Sequence, residues 1–346
     1  MQPTRTAPVP ATRPRIARRV ATVLVAGGLL LVVPATAAAS LAAVTAAGDV
    51  VVARDDGSGQ RVLVAHAAQP HIGDAFAAIS PNGRRVAVMT TQIRSAIYPV
   101  GGGKPVVTSQ QLGNCRWAPN SALLVCQNSF PFNLTVVNAA TGAVKRLAAG
   151  RFNGSVSFSP DSRRVAVVTF NRTGRGERLE VITLATRRVR VVRTGSFFSP
   201  AWGPTRIAFA IVRRPGPHQA SDIYTVKPNG TGLRRLTRFR REGDITGLFP
   251  VAWSRNGRRI LAGNSSPLFE ADLDAWAVDP VHRRWHLISH GLSPTALSRD
   301  GRFVLGQTGD AEKTGIDVSN VVRTTWTGHG PRTVLIRHAW EPSWTR

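Results

Sequence analysis

The sequence of 346 residues predicts an all-β chain that folds as a β-propeller. The first observation is a phrase that recurs along the chain: a bulky residue, Ser or Ala, a turn of the Pro-Asn-Gly type, and an apolar run. Its copies begin at Ile79, Trp117, Phe158, Trp202, Trp253 and Leu297, with a last fragment at Trp344. These starts lie 38, 41, 44, 51, 44 and 47 residues apart. A period of about 40–45 residues with several short strands is typical of propeller blades.

Each copy of this phrase predicts two strands joined by a tight turn. Pro, Asn, Asp, Gly and Ser are the residues that turns favour, so the middle of the phrase is a turn. The run that follows, such as Val86–Met89, is apolar on both of its faces. A strand of that kind must be covered on both sides, and neighbouring blades supply such cover. We name the four strands of a blade A to D from the axis outward, so this phrase is the A–B hairpin.

A second phrase predicts how the ring closes. DVVVARDDGSGQRVLV at Asp49–Val64 matches DIYTVKPNGTGLRRLT at residues 222–237, and both predict a C–D hairpin. The first copy has no A strand before it, whereas the last A phrase, at Trp344, has no C–D hairpin after it. We therefore expect the C-terminal A strand to lie beside N-terminal strands C and D, with Leu41–Ala46 as strand B. Such closure protects two open sheet edges.

The sequence allows two blade counts. Counting the A phrases gives seven blades of four strands. If the terminal pieces only extend a neighbouring blade, the count is six.

These motifs resemble the repeat of TolB-type propellers. The resemblance rests on the SPDG-like turns followed by Arg-Arg-Val-Ala-Val, and on the stretch IYTVKPNGTGLRRLT. The resemblance covers about residues 49–346 and implies the propeller fold. It does not imply one function, because such propellers range from envelope scaffolds to the lid domains of peptidases.

The first 39 residues predict export. An arginine-rich lead without acids precedes the 14-residue apolar run Val20–Val33, and ATAAAS follows. These are the three parts of a secretory signal, with cleavage after Ala39 or, alternatively, Ala37. An uncleaved membrane anchor is the alternative, because no charged residue occurs from Val20 through Gly48. The domains expected are a signal at 1–39 and one propeller at 40–346. The arginines of the lead are Arg5, Arg13, Arg15, Arg18 and Arg19.

The charge is strongly basic. The chain has 45 Lys and Arg against 19 Asp and Glu, a net charge of +26, and all but four of the basic residues are Arg. Removing residues 1–39 removes five Arg and no acid, which leaves 26 − 5 = +21. This charge favours anionic partners, although part of it can reflect an Ala- and Arg-rich composition.

The two cysteines flank one A–B hairpin, CRWAPNSALLVC. If Trp117 pairs with Leu124, Cys115 faces Cys126, and an exported protein allows a disulfide between them. Two buried free thiols are the alternative. With two Cys and no matching His, no metal site is expected.

No motif of a known catalytic centre occurs. The sequence lacks a Gly-x-Ser-x-Gly elbow, an HExxH helix and a phosphate-binding loop. We therefore expect a non-catalytic protein without a cofactor. The alternative is a propeller lyase or hydrolase that acts on an exported glycan with His and carboxylates on a loop face.

Two clusters of polar residues could bind a ligand, but solvent exposure is the favoured interpretation of both. His282, His286 and His290 fall on or beside strand D, where such spacing spreads them along the strand. We expect them to face solvent. The acids of Glu270–Asp274 (EADLD) fall in a B–C loop, where oxygen ligands could hold a cation. A solvated loop is the favoured interpretation.

The tryptophans and recurrent arginines are assigned by repeat position. Trp117, Trp202, Trp253 and Trp344 start the A phrase, so we expect them between blades. Of the less regular tryptophans, we expect one or two on the surface: Trp276, Trp285, Trp326 and Trp340. Arginines that recur just after the A–B turn are expected to be solvated charges that ring one face: Arg84, Arg85, Arg163, Arg164, Arg258, Arg259 and Arg302.

A less regular basic patch is the candidate binding site. It consists of one B–C loop and the following D–A connection, which share the other face of the propeller. Five arginines and an aromatic residue could converge there, and Arg forks suit carboxylate and phosphate oxygens. We expect a monomer whose partner is an envelope protein, an anionic wall polymer or lipid headgroups, and not nucleic acid. The alternative is one more part of an Arg-rich surface. The residues are Arg213, Arg214, His218, Arg238, Phe239, Arg240 and Arg241.

Overall fold

The computed structural model describes residues 40–68, 75–90, 95–110, 112–129, 132–150, 152, 156–170, 176–214, 220–240, 247–265, 274–298, 300–309 and 319–345. Within these ranges the chain has 28 β-strands and no helix. The all-β prediction is therefore confirmed. Residues 38–346 form one compact unit. The expected signal at 1–39 lies outside the described residues.

The strands have the following bounds in chain order: β1 Leu41–Thr45, β2 Val50–Ala53, β3 Arg61–Val64, β4 Ala75–Ile79, β5 Arg85–Thr90, β6 Ala96–Pro99, β7 Val106–Val107, β8 Asn114–Trp117, β9 Leu123–Ser129, β10 Phe132–Asn138, β11 Val144–Ala149, β12 Ser157–Phe158, β13 Arg164–Phe170, β14 Glu177–Thr183, β15 Val189–Gly195, β16 Phe197–Trp202, β17 Ile207–Arg214, β18 Ala220–Val226, β19 Arg234–Arg235, β20 Gly247–Trp253, β21 Ile260–Ser265, β22 Ala275–Asp279, β23 Arg284–Ser289, β24 Ser293–Leu297, β25 Phe303–Thr308, β26 Asn320–Thr325, β27 Thr333–Ile336 and β28 Ala339–Trp344.

The strands pair as antiparallel groups of four. Five sheets have four strands each, and one sheet of eight splits into two halves joined only by the parallel pair Ser221↔Gly247. The described strands thus fall into seven groups, which is the grouping that the seven-blade prediction requires. We call them blades 1 to 7: β28-β1-β2-β3, β4–β7, β8–β11, β12–β15, β16–β19, β20–β23 and β24–β27. The first strand of each is its A strand, and A strands of neighbouring blades pack against one another, apart from β8 and the two-residue β12.

Blade 1 is built from both ends of the described chain. Strand β28 supplies A, and β1, β2 and β3 supply B, C and D. The register pairs Leu41 with Trp344 and Val44 with Trp340. The predicted sharing of one blade by the N- and C-terminal strands is confirmed, including the assignment of strand B.

The hydrophobic core is divided among the contacts between blades. Seven clusters of buried apolar side chains occur in the described residues, each across one pair of neighbouring blades. The repeat tryptophans fix these contacts. Trp117 Nε1 donates to the carbonyl oxygen of Ala78 at 2.7 Å, and Trp253 Nε1 donates to that of Ala201 at 2.9 Å. Each indole thereby bonds to the A strand of the preceding blade.

The less regular tryptophans correct one expectation. Trp276, Trp326 and Trp340 are buried, and Trp285 is half-buried. Each of the four packs into a cluster between blades. None of them lies exposed, because C strands and the ends of D and A strands also face a neighbouring blade.

Candidate anion-binding site

The candidate site begins with a buried carboxylate on strand C of blade 5. Asp222 is 0% exposed, and its Oδ2 atom accepts from Arg213 Nε and from Arg235 Nη2, both at 2.6 Å. Arg213 lies near the end of strand B and Arg235 on the short strand D. The antiparallel order B–C–D therefore places one guanidinium on either side of the acid.

The other carboxylate oxygen fastens the D–A connection. Asp222 Oδ1 accepts from the backbone N–H of Phe239 at 2.8 Å and from Thr237 Oγ1 at 3.1 Å. Arg235 Nε donates to the Thr237 carbonyl at 2.8 Å, and Arg213 Nη2 donates to the Phe239 carbonyl at 3.0 Å. Both arginines are thus held by the Asp222 carboxylate and by backbone carbonyl groups of the D–A connection.

This clamp repeats a feature of other blades. Asp49 Oδ1 accepts from the N–H of His66 at 2.8 Å, and Asp274 Oδ1 accepts from the N–H of Gly291 at 2.9 Å. In all three cases the donor lies 17 residues after the acid. The aspartate of the C–D phrase is therefore a structural device that holds the end of strand D, and blade 5 adds two arginines to it.

The charges of blade 5 do not cancel. One carboxylate faces two guanidiniums, whose side chains are 35% (Arg213) and 31% (Arg235) exposed. Asp222 is their ion-pair partner among the described acids. Arg238 and Arg240 follow on the same connection and are exposed. We call these four residues the blade-5 arginine surface.

The structure brings together only part of the predicted patch. Arg213 reaches Phe239 through the hydrogen bond above, and Arg238 and Arg240 flank that residue. Phe239 itself is 5% exposed and packs edge-on against Trp276, with ring centroids 5.4 Å apart. The expectation that this aromatic residue joins the arginines at the surface is therefore wrong. The Arg214 side chain, His218 and Arg241 lie outside the described residues.

Arg235 and Asp222 were missed as site residues. Both belong to the repeated C–D phrase, which sequence comparison marks as structural. The signal in the sequence is the acid in the repeated C strand, because an acid needs a partner when it is buried.

The recurrent arginines of the opposite face have two roles. Arg84, Arg163 and Arg258, the first of each Arg-Arg pair, are exposed as expected. The second arginine is half-buried and bridges to the next blade. Arg85 Nη1 donates to the Ala139 carbonyl at 2.9 Å. Arg164 lies 5.3 Å over the Trp202 ring, and Arg259 lies 5.3 Å over the Trp326 ring. The expectation of solvated charge is wrong for these second arginines.

The predicted disulfide is present. Cys115 on β8 is bonded to Cys126 on β9, and the register pairs them directly, as it pairs Trp117 with Leu124. Both cysteines are fully buried.

Of the histidines and acids in the two polar clusters, one described pair is in contact, with His290 Nδ1 3.3 Å from Asp274 Oδ2. His282, His286 and His290 are exposed. Asp274 is buried and accepts from Gly291, while Glu270 and Asp272 lie outside the described residues. Within the described part of the chain, no three His, Cys, Asp or Glu side chains gather as a metal site.

Two opposite charges stand on A strands near the axis. Arg116 (β8) and Glu341 (β28) both keep exposed surface, yet burial lowers the pKa of Arg116 and raises the pKa of Glu341. Each charge partly offsets the shift of the other. Both side chains are therefore surrounded by many protein atoms and still contact water.

Comparison with known proteins supports the fold. No family model matches the chain. A curated relative, the Tol-Pal system protein TolB of Nitrosospira multiformis, is 41% identical over 76 residues, which is 22% of this chain and 17% of that protein. The chain thus matches about a sixth of this relative's length.

Solved structures match over more of the chain. TolB from Acinetobacter baumannii has a TM-score of 0.56 at 16% identity, covering 78% of this chain and 66% of that one. An oligogalacturonate lyase in complex with manganese has a TM-score of 0.59 at 14% identity, covering 87% and 86%. At such identities the likeness concerns the fold. No helix in the described ranges has the length and apolar character to cross a membrane. The chain folds as a TolB-type β-propeller.

Proposed function

We propose that this chain is an exported, non-catalytic binding scaffold of the cell envelope, which recognises an anionic partner through the blade-5 arginine surface. The observation that carries the proposal is the Asp222 clamp. The buried acid orients Arg213 and Arg235 without neutralising both. The surface therefore offers guanidiniums in fixed positions, which lowers the entropy cost of binding.

The chemistry of the partner follows from the arginines. Guanidinium forks bind carboxylate and phosphate oxygens with paired hydrogen bonds. Wall polymers, acidic lipid headgroups and acidic segments of envelope proteins all carry such groups. Export rests on the arginine-rich lead, apolar run and small-residue site at the N-terminus. The curated relative is a Tol-Pal system protein, which supports the envelope as the setting.

The test is a binding measurement with two matched charge variants. Purified protein is titrated with isolated envelope fractions and with vesicles rich in phosphatidylglycerol, at increasing salt. Wild-type binding should weaken as salt rises, because exposed charges are screened. Arg238→Glu/Arg240→Glu should abolish binding and leave the melting temperature nearly unchanged, since both side chains are exposed.

The control variant is Arg84→Glu/Arg163→Glu, which changes the net charge by the same amount on the opposite face. It should bind as the wild type does. Equal loss in both variants would show that binding follows net charge alone, and survival of binding in the Arg238/Arg240 variant would refute this surface. The triple variant Arg238/Arg240/Arg241→Glu should likewise fail to bind.

A second candidate is a lyase or hydrolase that acts on an exported glycan. Oligogalacturonate lyases are among the solved proteins that share this fold, and this is the observation behind the candidate. This candidate predicts turnover of an oligogalacturonate probe, measured as product release with time. Turnover by the wild-type protein would overturn the non-catalytic proposal.

A further inference from the structure

A cavity lies at the opposite end of the blades from the blade-5 arginine surface. It opens beside the A–B and C–D turns of blade 6. On the side of blade 7 it is bounded by Trp326, the residue that follows strand β26. Its volume is about 340 Å³, which is at the lower end of the range for small-ligand sites. The lining residues are Arg258, Arg259, Ala277, Asp279, Arg284, His286 and Trp326. We call it the blade-6 cavity.

The lining of the cavity has a net positive charge. Arg258 and Arg284 are exposed, and neither guanidinium has a hydrogen bond or an ion pair with the described residues. The acid in the lining, Asp279, is already engaged. Its carboxylate accepts from His282 Nδ1 at 2.7 Å and from the N–H groups of Val281 and His282 at 2.8 and 3.0 Å. Three arginines and one aspartate line the cavity, so its charge stays positive with Asp279 ionised.

The repeat shows why a cavity exists in this blade. In blade 5, Arg206 precedes strand B, and its Nε donates to Thr225 Oγ1 of strand C at 3.0 Å. In blade 6 the same positions hold Arg259 and Ala277. Ala277 has no hydroxyl, so Arg259 turns to blade 7, where it donates to the Gly301 carbonyl and lies over Trp326.

Blade 7 fills the equivalent space in another way. Phe303 takes the position of Arg259, and Arg323 takes that of Ala277, with its guanidinium 4.7 Å from the phenyl ring. Blade 5 thus has Thr, blade 7 has Arg, and blade 6 has the smallest side chain of the three. Space and unpaired arginines coincide in blade 6, and neither feature depends on the other.

We infer that the blade-6 cavity binds a small oxyanion, a phosphate, sulfate or carboxylate group, between Arg258 and Arg284. Arg259 is a positioning residue that holds Trp326 as the apolar wall. The ion would give the two exposed guanidiniums the ion-pair partner that they lack among the described residues. This site is separate from the blade-5 arginine surface and does not rest on the function proposed for that surface.

The experiment is calorimetric titration of the purified full chain with inorganic phosphate and, separately, pyrophosphate, at constant ionic strength set with sodium chloride. We expect saturable binding to the wild type. Arg258→Gln/Arg284→Gln should weaken it by about tenfold or more, because hydrogen bonds to charged groups are lost. The matched control is Arg84→Gln/Arg163→Gln, which removes the same charge at exposed positions of blades 2 and 4 and should bind normally.

A steric variant tests the cavity itself. Ala277→Thr copies the residue of blade 5, so it should draw Arg259 back, fill the space and weaken phosphate binding without any change in charge. Should this variant fold poorly, the exposed Arg258/Arg284 pair still decides the question. Arg238→Glu/Arg240→Glu should retain phosphate binding, which separates this site from the other face. Absence of saturable binding in the wild type, or equal loss in the control pair, would overturn the inference.

Discussion

Asp222→Asn should destabilise the protein strongly. The carboxylate is 0% exposed, and two guanidiniums lie 2.6 Å from one of its oxygens. Asparagine keeps an oxygen that can accept from the Phe239 N–H, but it is neutral. Removing one partner of a buried ion pair costs roughly 3–5 kcal/mol, because the remaining charge is left without its partner.

The partial exposure of the arginines sets the size of the effect. Arg213 and Arg235 keep about a third of their surface in water, which screens the stranded charges. We therefore expect a loss of about 3 kcal/mol in the free energy of unfolding, the low end of that range. Urea denaturation followed by tryptophan fluorescence measures it.

The repeat supplies a matched control. Asp49 occupies the same position in blade 1 and accepts from the His66 N–H, but its ionic partner is the His66 ring, which is 84% exposed. Asp49→Asn should cost less than about 1 kcal/mol, as is usual for surface pairs. If Asp222→Asn cost no more than Asp49→Asn, the clamp would not depend on charge, and the fixed geometry of the blade-5 arginine surface would lose its basis.

Three further effects on stability are expected. Replacing Cys115 and Cys126 by Ala should lower the free energy of unfolding by about 3 kcal/mol, because the disulfide closes a loop of sequence separation 11; a urea midpoint equal to that of the wild type would refute this. Burial raises the pKa of Glu180. It outweighs the hydrogen bond with Thr169 and the charge of Arg178, which both lower that pKa. Stability from protonated Glu180 is therefore full below the usual carboxyl pKa of about 4.3 and is lost as pH rises through the raised value. Glu180→Gln should thus gain stability relative to the wild type between pH 4 and 7, and parallel pH profiles would contradict it. Gly113→Ala places a Cβ atom 2.1 Å from the Gln127 carbonyl oxygen, so a loss of about 1–3 kcal/mol is expected in thermal denaturation.

The propeller was predictable because its signals are local and repeated. The turn residues and the two-sided apolar strands recur at one period, and each copy strengthens the interpretation of the others. The closure of blade 1 followed from the same reasoning, since a C–D hairpin without A and an A strand without C–D complete each other. The disulfide followed from a hairpin register that the turn between Trp117 and Leu124 sets.

The candidate site was less predictable because it depends on contacts across strands. The pairing of Arg213 and Arg235 with Asp222 arises from three strands lying side by side, and no spacing along the chain encodes it. Phe239 lies in a basic connection, yet the neighbouring blade supplies Trp276 and buries it.

The role of a residue also depends on its counterpart in the next blade. Arg85, Arg164 and Arg259 share one repeat position, but the first donates to a carbonyl, the second lies over an indole, and the third does both. Sequence comparison within the chain identifies the position correctly and leaves the partner open. The blade-6 cavity is of this kind, since Ala277 becomes informative only beside the Thr225 of blade 5.

Asp222→Asn also separates two explanations of anion binding at the blade-5 arginine surface. The substitution removes a negative charge, so the net charge of the surface rises by one. If charge alone drives binding, the variant should bind anionic vesicles more tightly than the wild type does. If fixed guanidiniums drive it, the variant should bind more weakly, because Arg213 and Arg235 lose the group that orients them. The measurement is vesicle binding at a temperature at which both proteins are folded, with Asp49→Asn as the control for an equal change in charge. Tighter binding by the Asp222 variant would refute the role of orientation and leave the arginines as a diffuse positive surface.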